Sequence, residues 1–352
     1  MTRWERQLAD SIIAPADLAR RFGFDSAPLL RVASRYPLRI TPYYLSLITA
    51  VADPIGRQCI PDTSELVDTF SPDPLDEENL SPVPGLIHRY PDRVVWLVAN
   101  ACAVYCRFCL RKRQVGCVST APSGTKGEVL AYISSTPAIR EVILSGGDPL
   151  LLQDDEIRDL LTAIRSIPHV KIIRIHSRVP VTLPQRITAP LCRILKAQHP
   201  LYITTHFNHP REITSESALA CAKLADAGVP LGNQTVLLKG VNDNSLVMTE
   251  LLQQLLAIRV KPYYIHQLDL VRGTGHFRTS IAKGLAIMGE VRSHISGLAT
   301  PYYVLDLPGG KGKVPLLPEQ VRWHKKHLEI RTYQGETVTY QLQTDDVKVP
   351  RS

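Results

Sequence analysis

The chain has 352 residues, 44% hydrophobic and 21% charged, with a formal net charge of +8. That is enough for one large α/β barrel or two ordinary domains, and no apolar run approaches the length of a membrane span. The first ten residues are charged and contain Trp4, which does not read as a secretory signal. Seven cysteines, an odd number with three crowded together, do not read as a disulfide framework, so a reducing cytoplasm is the expected home. The positive charge suits anionic partners, phosphorylated cofactors among them. No lysine-rich tail or nucleic-acid motif accompanies it, so neither nucleic acid nor membrane is expected as a partner.

Residues 1–50 read as helical, with apolar residues at helical spacing in Trp4, Leu8 and Ile12 and again at Leu18 and Phe22; 40–48 offers a second amphipathic segment. From 52 to 85 the composition shifts to acids and to Pro54, Pro61, Pro72, Pro74, Pro82 and Pro84, the mark of a wrapping connector. Strand-like apolar runs then recur at 94–98, 142–144, 172–175, 201–204, 230–238 and 263–265. Helical segments lie between them at 155–167, 185–198, 215–227 and 245–258, and 281–295 closes the series. Uninterrupted strands alternating with helices call for a parallel sheet. Six such strands favour an α/β fold of partial (β/α)6 TIM-like barrel type, with an open doubly wound sheet as the alternative. A helical and wrapping segment is expected at 1–87, the barrel at 88–296, and a loop and hairpin tail at 297–352. Residues 302–306 offer one more strand, and 328–341 alternates as a hairpin around Gln334-Gly335.

Several strands end in polar residues, which in a barrel form the active-site rim. After the first comes Cys102-Ala-Val-Tyr-Cys106-Arg-Phe-Cys109, a C-x3-C-x2-C run. Three thiolates this close can hold three irons of a [4Fe–4S] cluster and leave the fourth iron open. A zinc knuckle short of one ligand, or ordinary buried cysteines, are the other readings. Ser145-Gly146-Gly147-Asp148 follows a strand, and its glycines let backbone approach a ligand or simply make a tight turn. Gly309-Gly310-Lys311-Gly312-Lys313 is not a phosphate loop of the Walker type, since Val314 follows the final Gly-Lys. A lysine there can instead form a Schiff base with an aldehyde cofactor, and Arg89 and Arg93 beside Tyr90 can hold that cofactor's phosphate. Asp269 and Asp306 sit at or beyond strand ends, as helix caps, a general acid/base pair, metal ligands or a clamp for a substrate cation. His206 and His266 are rim histidines, functional or merely satisfied.

The cysteine run and the glycine pair resemble the radical S-adenosylmethionine (SAM) superfamily, whose open iron binds SAM. Most of the chain, from Trp4 to Pro315, resembles the lysine 2,3-aminomutases. Long stretches carry this: Ile40-Thr-Pro-Tyr-Tyr-Leu-Ser-Leu-Ile48, Ser81-Pro-Val-Pro-Gly-Leu86, Thr205-His-Phe-Asn-His-Pro210 and Pro230-Leu-Gly-Asn-Gln234. The resemblance implies a radical SAM partial barrel and three cofactors: a [4Fe–4S] cluster on Cys102, Cys106 and Cys109, SAM, and pyridoxal phosphate (PLP) joined to Lys313. Ser145, Gly146, Gly147, Asp148, His206 and Gln234 then lie near SAM, and Arg89, Tyr90 and Arg93 hold the PLP phosphate. Arg111 binds the substrate α-carboxylate, while Asp269 and Asp306 bind its ε-ammonium. The implied reaction turns free L-lysine into β-lysine through a 5′-deoxyadenosyl radical, with an electron from a reductant such as flavodoxin or ferredoxin. Longer family members place zinc at a subunit interface. Here the barrel position is Asn244 and no cysteine follows Cys221, so no zinc is expected, and any homo-oligomer would lack that bridge. The short tail looks more like the related enzyme that supplies β-lysine to elongation factor P, although that enzyme lacks the aspartate matching Asp306. An aminomutase acting on arginine or another amino acid, a radical SAM enzyme modifying tRNA or protein, and an electron-transfer protein are the rival readings.

Overall fold

Seven parallel strands follow one another in chain order, and the last does not return to the first. In the computed structural model, which describes residues 1–117, 125–317, 321–324, 326–332 and 336–342, the main sheet runs β1 (Leu86–Tyr90), β2 (Arg93–Ala99), β3 (Glu141–Gly146), β4 (Ile172–His176), β5 (Leu201–Thr205), β6 (Leu231–Leu237), β7 (Lys261–Gln267), β8 (Tyr302–Asp306) and β9 (Lys313–Pro315). Strands β2 to β8 are parallel throughout, while β1 and β9 join the two edges antiparallel. A doubly wound sheet reverses its strand order at a switch point. This one does not, so the partial barrel is the fold. The six expected strands are all present, and the further strand offered at 302–306 is β8.

A helix fills each of the six parallel connections: Lys126–Ser134, Asp154–Arg165, Ala189–Lys196, Ser215–Asp226, Ser245–Ala257 and Ile281–His294. Local chemistry starts most of them. Thr125, Thr188, Thr214, Asn244 and Ser280 each accept the N–H of the residue three positions on, satisfying a donor the first turn would leave orphaned. Asn244 is thus the N-cap of its helix. Strand alternation sorts the side chains between two faces. Val142, Leu144, Ile173 and Ile175 pack outward into the core shared with the helices, while Ile143, Ser145, Arg174 and His176 face the barrel interior.

The expected boundary at 87 falls within β1, and that at 296 falls between the last barrel helix and β8; the sheet runs across both. A separate small sheet holds β10 (Val321–Trp323), β11 (His327–Arg331) and β12 (Thr337–Gln341). β11 and β12 are the expected hairpin, whose tip at Gln334-Gly335 lies outside the described residues. Strand β10 was not expected: three residues are too few to show a period.

The connector lies across the open side, fastened by its acids. Glu65 is fully buried and meets Arg107 at 2.5 and 2.9 Å and Lys112 at 2.6 Å. Lys112 Nζ also donates to the carbonyls of Arg107 and Gly273, both at 2.8 Å, so one knot joins the connector, the cysteine loop and the loop after β7. Asp68 accepts the N–H groups of Gly273 and Gly275, and Gly309 donates to the Pro74 carbonyl at 2.9 Å. Glycine suits position 310: its φ is +69°, and a Cβ there would lie 2.9 Å from the Leu75 carbonyl oxygen.

Removing Glu65 would leave two cations buried with no carboxylate, a loss worth about 3–5 kcal/mol for a broken buried pair. Glu65→Ala should lower the urea midpoint accordingly. An unchanged midpoint would refute the knot.

Candidate active site

A cavity of about 750 Å³ occupies the barrel interior, its lining running from the first residues of β2, β3 and β8 (Arg93, Glu141 and Tyr302) to strand ends such as Gly146, His176 and Asp306. Cys102, Cys106 and Cys109 line one part of it. Ser145, Gly146, Gly147, Asp148, His206 and Gln234 continue the wall to Arg111, Asp269 and Asp306, and Arg89, Tyr90, Arg93 and Lys313 complete it. Every sequence-predicted site residue therefore faces one space, although they come from positions 89 to 313.

The glycine pair serves the backbone first. A Cβ on Gly146 would lie 2.3 Å from the Ala99 carbonyl oxygen, and one on Gly147 would lie 2.4 Å from that of Ala101. Through them β3 abuts the chain entering the cysteine loop, with Gly147 N–H on Ala99 at 2.6 Å and Asp148 N–H on Ala101 at 2.8 Å. The Asp148 carboxylate is already filled by Ser177 Oγ and the N–H groups of Leu150, Arg178 and Val179. It braces the turn that carries Arg178.

Arg178 closes the polar run His176-Ser-Arg178 at the end of β4, to which the sequence assigns a place on the rim but no specific role. It is buried, and its Nη1 donates to Cys106 Sγ at 2.7 Å. Glu212 at 2.7 Å, Gln58 at 2.5 Å and Tyr44 at 3.1 Å fix its other end. Burial works against a charged guanidinium there, but the surrounding anions hold its pKa well above the ordinary value. A permanent cation against one cysteine suits a thiolate, the form that iron requires.

At the other end Asp306 is a hub. Its Oδ2 accepts from Lys313 Nζ at 2.6 Å and faces His266 Nδ1 at 3.3 Å, while Oδ1 accepts from Arg89 Nη1 at 3.2 Å. Burial alone would raise its pKa, yet His266 and Lys313 together hold it well below the usual carboxylate range. Tyr90 supports the lysine from the opposite edge, its hydroxyl accepting the Lys313 N–H at 3.0 Å. The guanidinium of Arg93 lies over the Tyr90 ring, 3.7 Å from its centre. Gly309 to Lys313 therefore forms the β8–β9 hairpin, not a phosphate loop leading to a helix.

Asp269 has no such partners. Its Oδ1 is buried without a hydrogen bond, and burial together with the Asp306 charge pushes its pKa from 3.8 to about 7. His176 Nε2 and His266 Nε2 are likewise buried and unpartnered, and burial with the nearby Arg178 lowers His206 to about 3. Neither Asp269 nor Asp306 caps a helix. Arg111 is gripped by Glu77, a residue without sequence signal, through Nε at 3.0 Å and Nη2 at 2.7 Å, with Nη1 on Ser145 Oγ at 3.3 Å. Those contacts leave one N–H on each Nη, an edge that fits a carboxylate.

Three cysteines on one wall, unpaired buried polar atoms and a lysine held by Asp306 beside two arginines are what a cluster, a SAM and a PLP would need of this cavity. The chain matches the Radical SAM superfamily over residues 96–252, which places it among radical SAM proteins. Residues 288–349 match a family described as Lysine-2,3-aminomutase. The L-lysine 2,3-aminomutase of Fusobacterium nucleatum is 46% identical over 96% of this chain and 81% of that protein. That of Clostridium subterminale is 50% identical over 86% of this chain and 74% of that protein. The glutamate 2,3-aminomutase of Clostridioides difficile is 47% identical over 87% and 74%. The chain belongs to the lysine 2,3-aminomutase family, and its cofactors are a [4Fe–4S] cluster, SAM and PLP. Among the described residues no helix is long and apolar enough to cross a membrane.

Two expectations follow. Arg178→Gln should lower the midpoint potential of the reconstituted cluster by tens of millivolts, on the order expected for losing a charged hydrogen bond to a ligating sulfur. A redox titration followed by EPR reads this directly, and an unchanged potential would show that Arg178 does not act on the cluster. The second concerns Asp269. Because its pKa is raised on folding, the native state keeps a proton that the unfolded chain releases, so this group costs stability as pH rises from about 4 to 7. Urea unfolding of the cofactor-free protein should find Asp269→Asn gaining on the wild type across that window and staying ahead above it. A constant difference between the two would refute the raised pKa.

Proposed function

We propose that this chain converts L-lysine to β-lysine by moving the amino group from C2 to C3. When bound, PLP supplies the conjugated π system for the migration, and SAM with the reduced cluster supplies the radical that starts it. In this reading Cys102, Cys106 and Cys109 hold the cluster, while Ser145, Gly146, Gly147, His206 and Gln234 face SAM, with Asp148 bracing that wall. Arg89, Tyr90 and Arg93 receive the PLP phosphate.

Lys313 would be the attachment point for PLP, and as an ammonium it must first lose a proton. His266 Nδ1 lies 3.2 Å from Nζ, but burial and the Lys313 charge lower its pKa, so it would pass that proton on rather than keep it. Once engaged, Lys313 no longer neutralises Asp306, which is left with Arg89 and His266. The ε-ammonium of a lysine substrate is the same chemical group as the one withdrawn. Asp269 and Asp306 bring two negative charges, and the substrate cation with Arg89 balances them. Arg111 offers its free edge to the α-carboxylate, so both ends of the substrate are held and its reacting carbons are fixed between them.

The observation that carries the reading is the Asp269–Asp306 pair. A substrate ending in a carboxylate, such as glutamate, would meet like charge there, whereas an ammonium is what the two acids lack. The chain is taken to act in the cytoplasm, where a reductant of the flavodoxin or ferredoxin type can reach an oxygen-labile cluster.

Anaerobic incubation with lysine, SAM and dithionite, followed by amino-acid analysis, should yield β-lysine. Asp306→Asn should lower lysine turnover about tenfold to a thousandfold, since a buried charge-assisted contact is worth roughly 1.5–3 kcal/mol or more. PLP and SAM binding should persist. If Asp306→Asn and Asp269→Asn both kept wild-type lysine kinetics, the substrate would not be lysine.

A further inference from the structure

Away from the cavity, one group of metal-ligating side chains converges among the described residues: His324, His327 and Glu329. The backbone brings them together. In the β10–β11 pair Trp323 lies opposite Leu328 and Arg322 opposite Glu329. His324 therefore falls opposite His327 at the closed end, its N–H on the His327 carbonyl at 2.9 Å. Cross-strand partners share a face, and so do residues two apart on a strand. Both histidines and Glu329 accordingly stand on one face of the hairpin, while Trp323 and Leu328 point to the other. The two imidazoles are stacked, with centres 4.5 Å apart and planes 13° apart. His324 Nε2 lies 3.4 Å from a Glu329 oxygen, and one donor atom of each residue falls within 4.8 Å of the others.

We propose that His324, His327 and Glu329 bind a divalent cation of the zinc class, at a site separate from the cofactor cavity. Two imidazole nitrogens and one carboxylate are a zinc-type donor set, whereas calcium and magnesium take oxygen ligands. Bonds of about 2.0–2.2 Å to one ion put neighbouring donors roughly 3.3 Å apart. The His324–Glu329 pair already has that spacing, and rotation of half-exposed side chains brings His327 in. Water completes the coordination. The bound ion would tie β10, a strand of three residues, to β11 by side chains as well as by backbone. The site uses no cysteine and owes nothing to the position of Asn244.

The test uses untagged protein with its cluster and PLP in place, so that the cysteine loop cannot take up the added metal. Zinc titrated against a chromophoric chelator should fill one site per chain. His324→Ala and Glu329→Gln should each weaken that site at least ~10-fold, the scale on which metal sites respond to losing a supporting group. Both variants should keep wild-type lysine turnover. No saturable binding at micromolar zinc, or a site indifferent to both substitutions, would overturn the proposal. A second measurement needs no variant: zinc should protect His324 and His327 from diethyl pyrocarbonate, read by mass spectrometry. Equal modification with and without zinc would overturn it equally.

Discussion

Glu65 holds two cations in a place where water cannot help any of the three. That single buried carboxylate decides where the acid-rich connector lies, because Arg107 and Lys112 belong to the cysteine loop and Lys112 also reaches the loop after β7. With the knot made, the rest of the connector is in register with the rest of the basic run: Glu77 on Arg111, and Asp73 and Glu78 on Arg113. A half-barrel leaves its interior open along one side. Here the connector covers part of that opening, and its own Glu77 becomes part of the cavity wall. Covering the barrel and orienting the Arg111 guanidinium are therefore one structural act.

At the far end of the cavity the same logic runs with a different outcome. Asp306 is satisfied three times over and Asp269 not at all, although both sit at the ends of neighbouring strands. The difference arises from β9. Its antiparallel return along β8 sets Lys313 opposite Asp306, and β1 brings Arg89 to the same carboxylate. The two edge strands, which break the parallel pattern, are thus the ones that supply the cations.

Much of this was legible in the sequence. Uninterrupted apolar strands separated by helical periods gave away the parallel sheet, and three cysteines at short spacing marked one wall of the cavity. The resemblance placed the remaining site residues, all of which share the cavity. What could not be read were pairings across distance. Arg178 meets Cys106 from 72 residues away, Arg89 meets Asp306 from 217, and Glu77 is one acid among many in a segment without period. Nor could the sequence show that Gly146 and Gly147 are required by the Ala99–Ala101 backbone before any ligand arrives. His324 left no trace because it lies just past β10, a strand of only three residues, and His327 falls one residue before the alternating run at 328–341.

A buried acid with no partner is a local conflict, and such conflicts persist where function needs them. The fold does not relieve Asp269: the cations that act on it, Lys313 and Arg89, are both committed to Asp306. An incoming ammonium resolves the conflict from outside, since a cation between the two acids favours the charged form of both. If the substrate cation binds there as proposed, proton release from Asp269 would accompany it, and the free energy that the unpaired acid costs the fold would reappear as affinity. A neutral side chain of the same size would find the same space and leave the conflict standing. In the proposed reading, selectivity for a cationic end would come less from shape than from what the folded chain leaves unpaired.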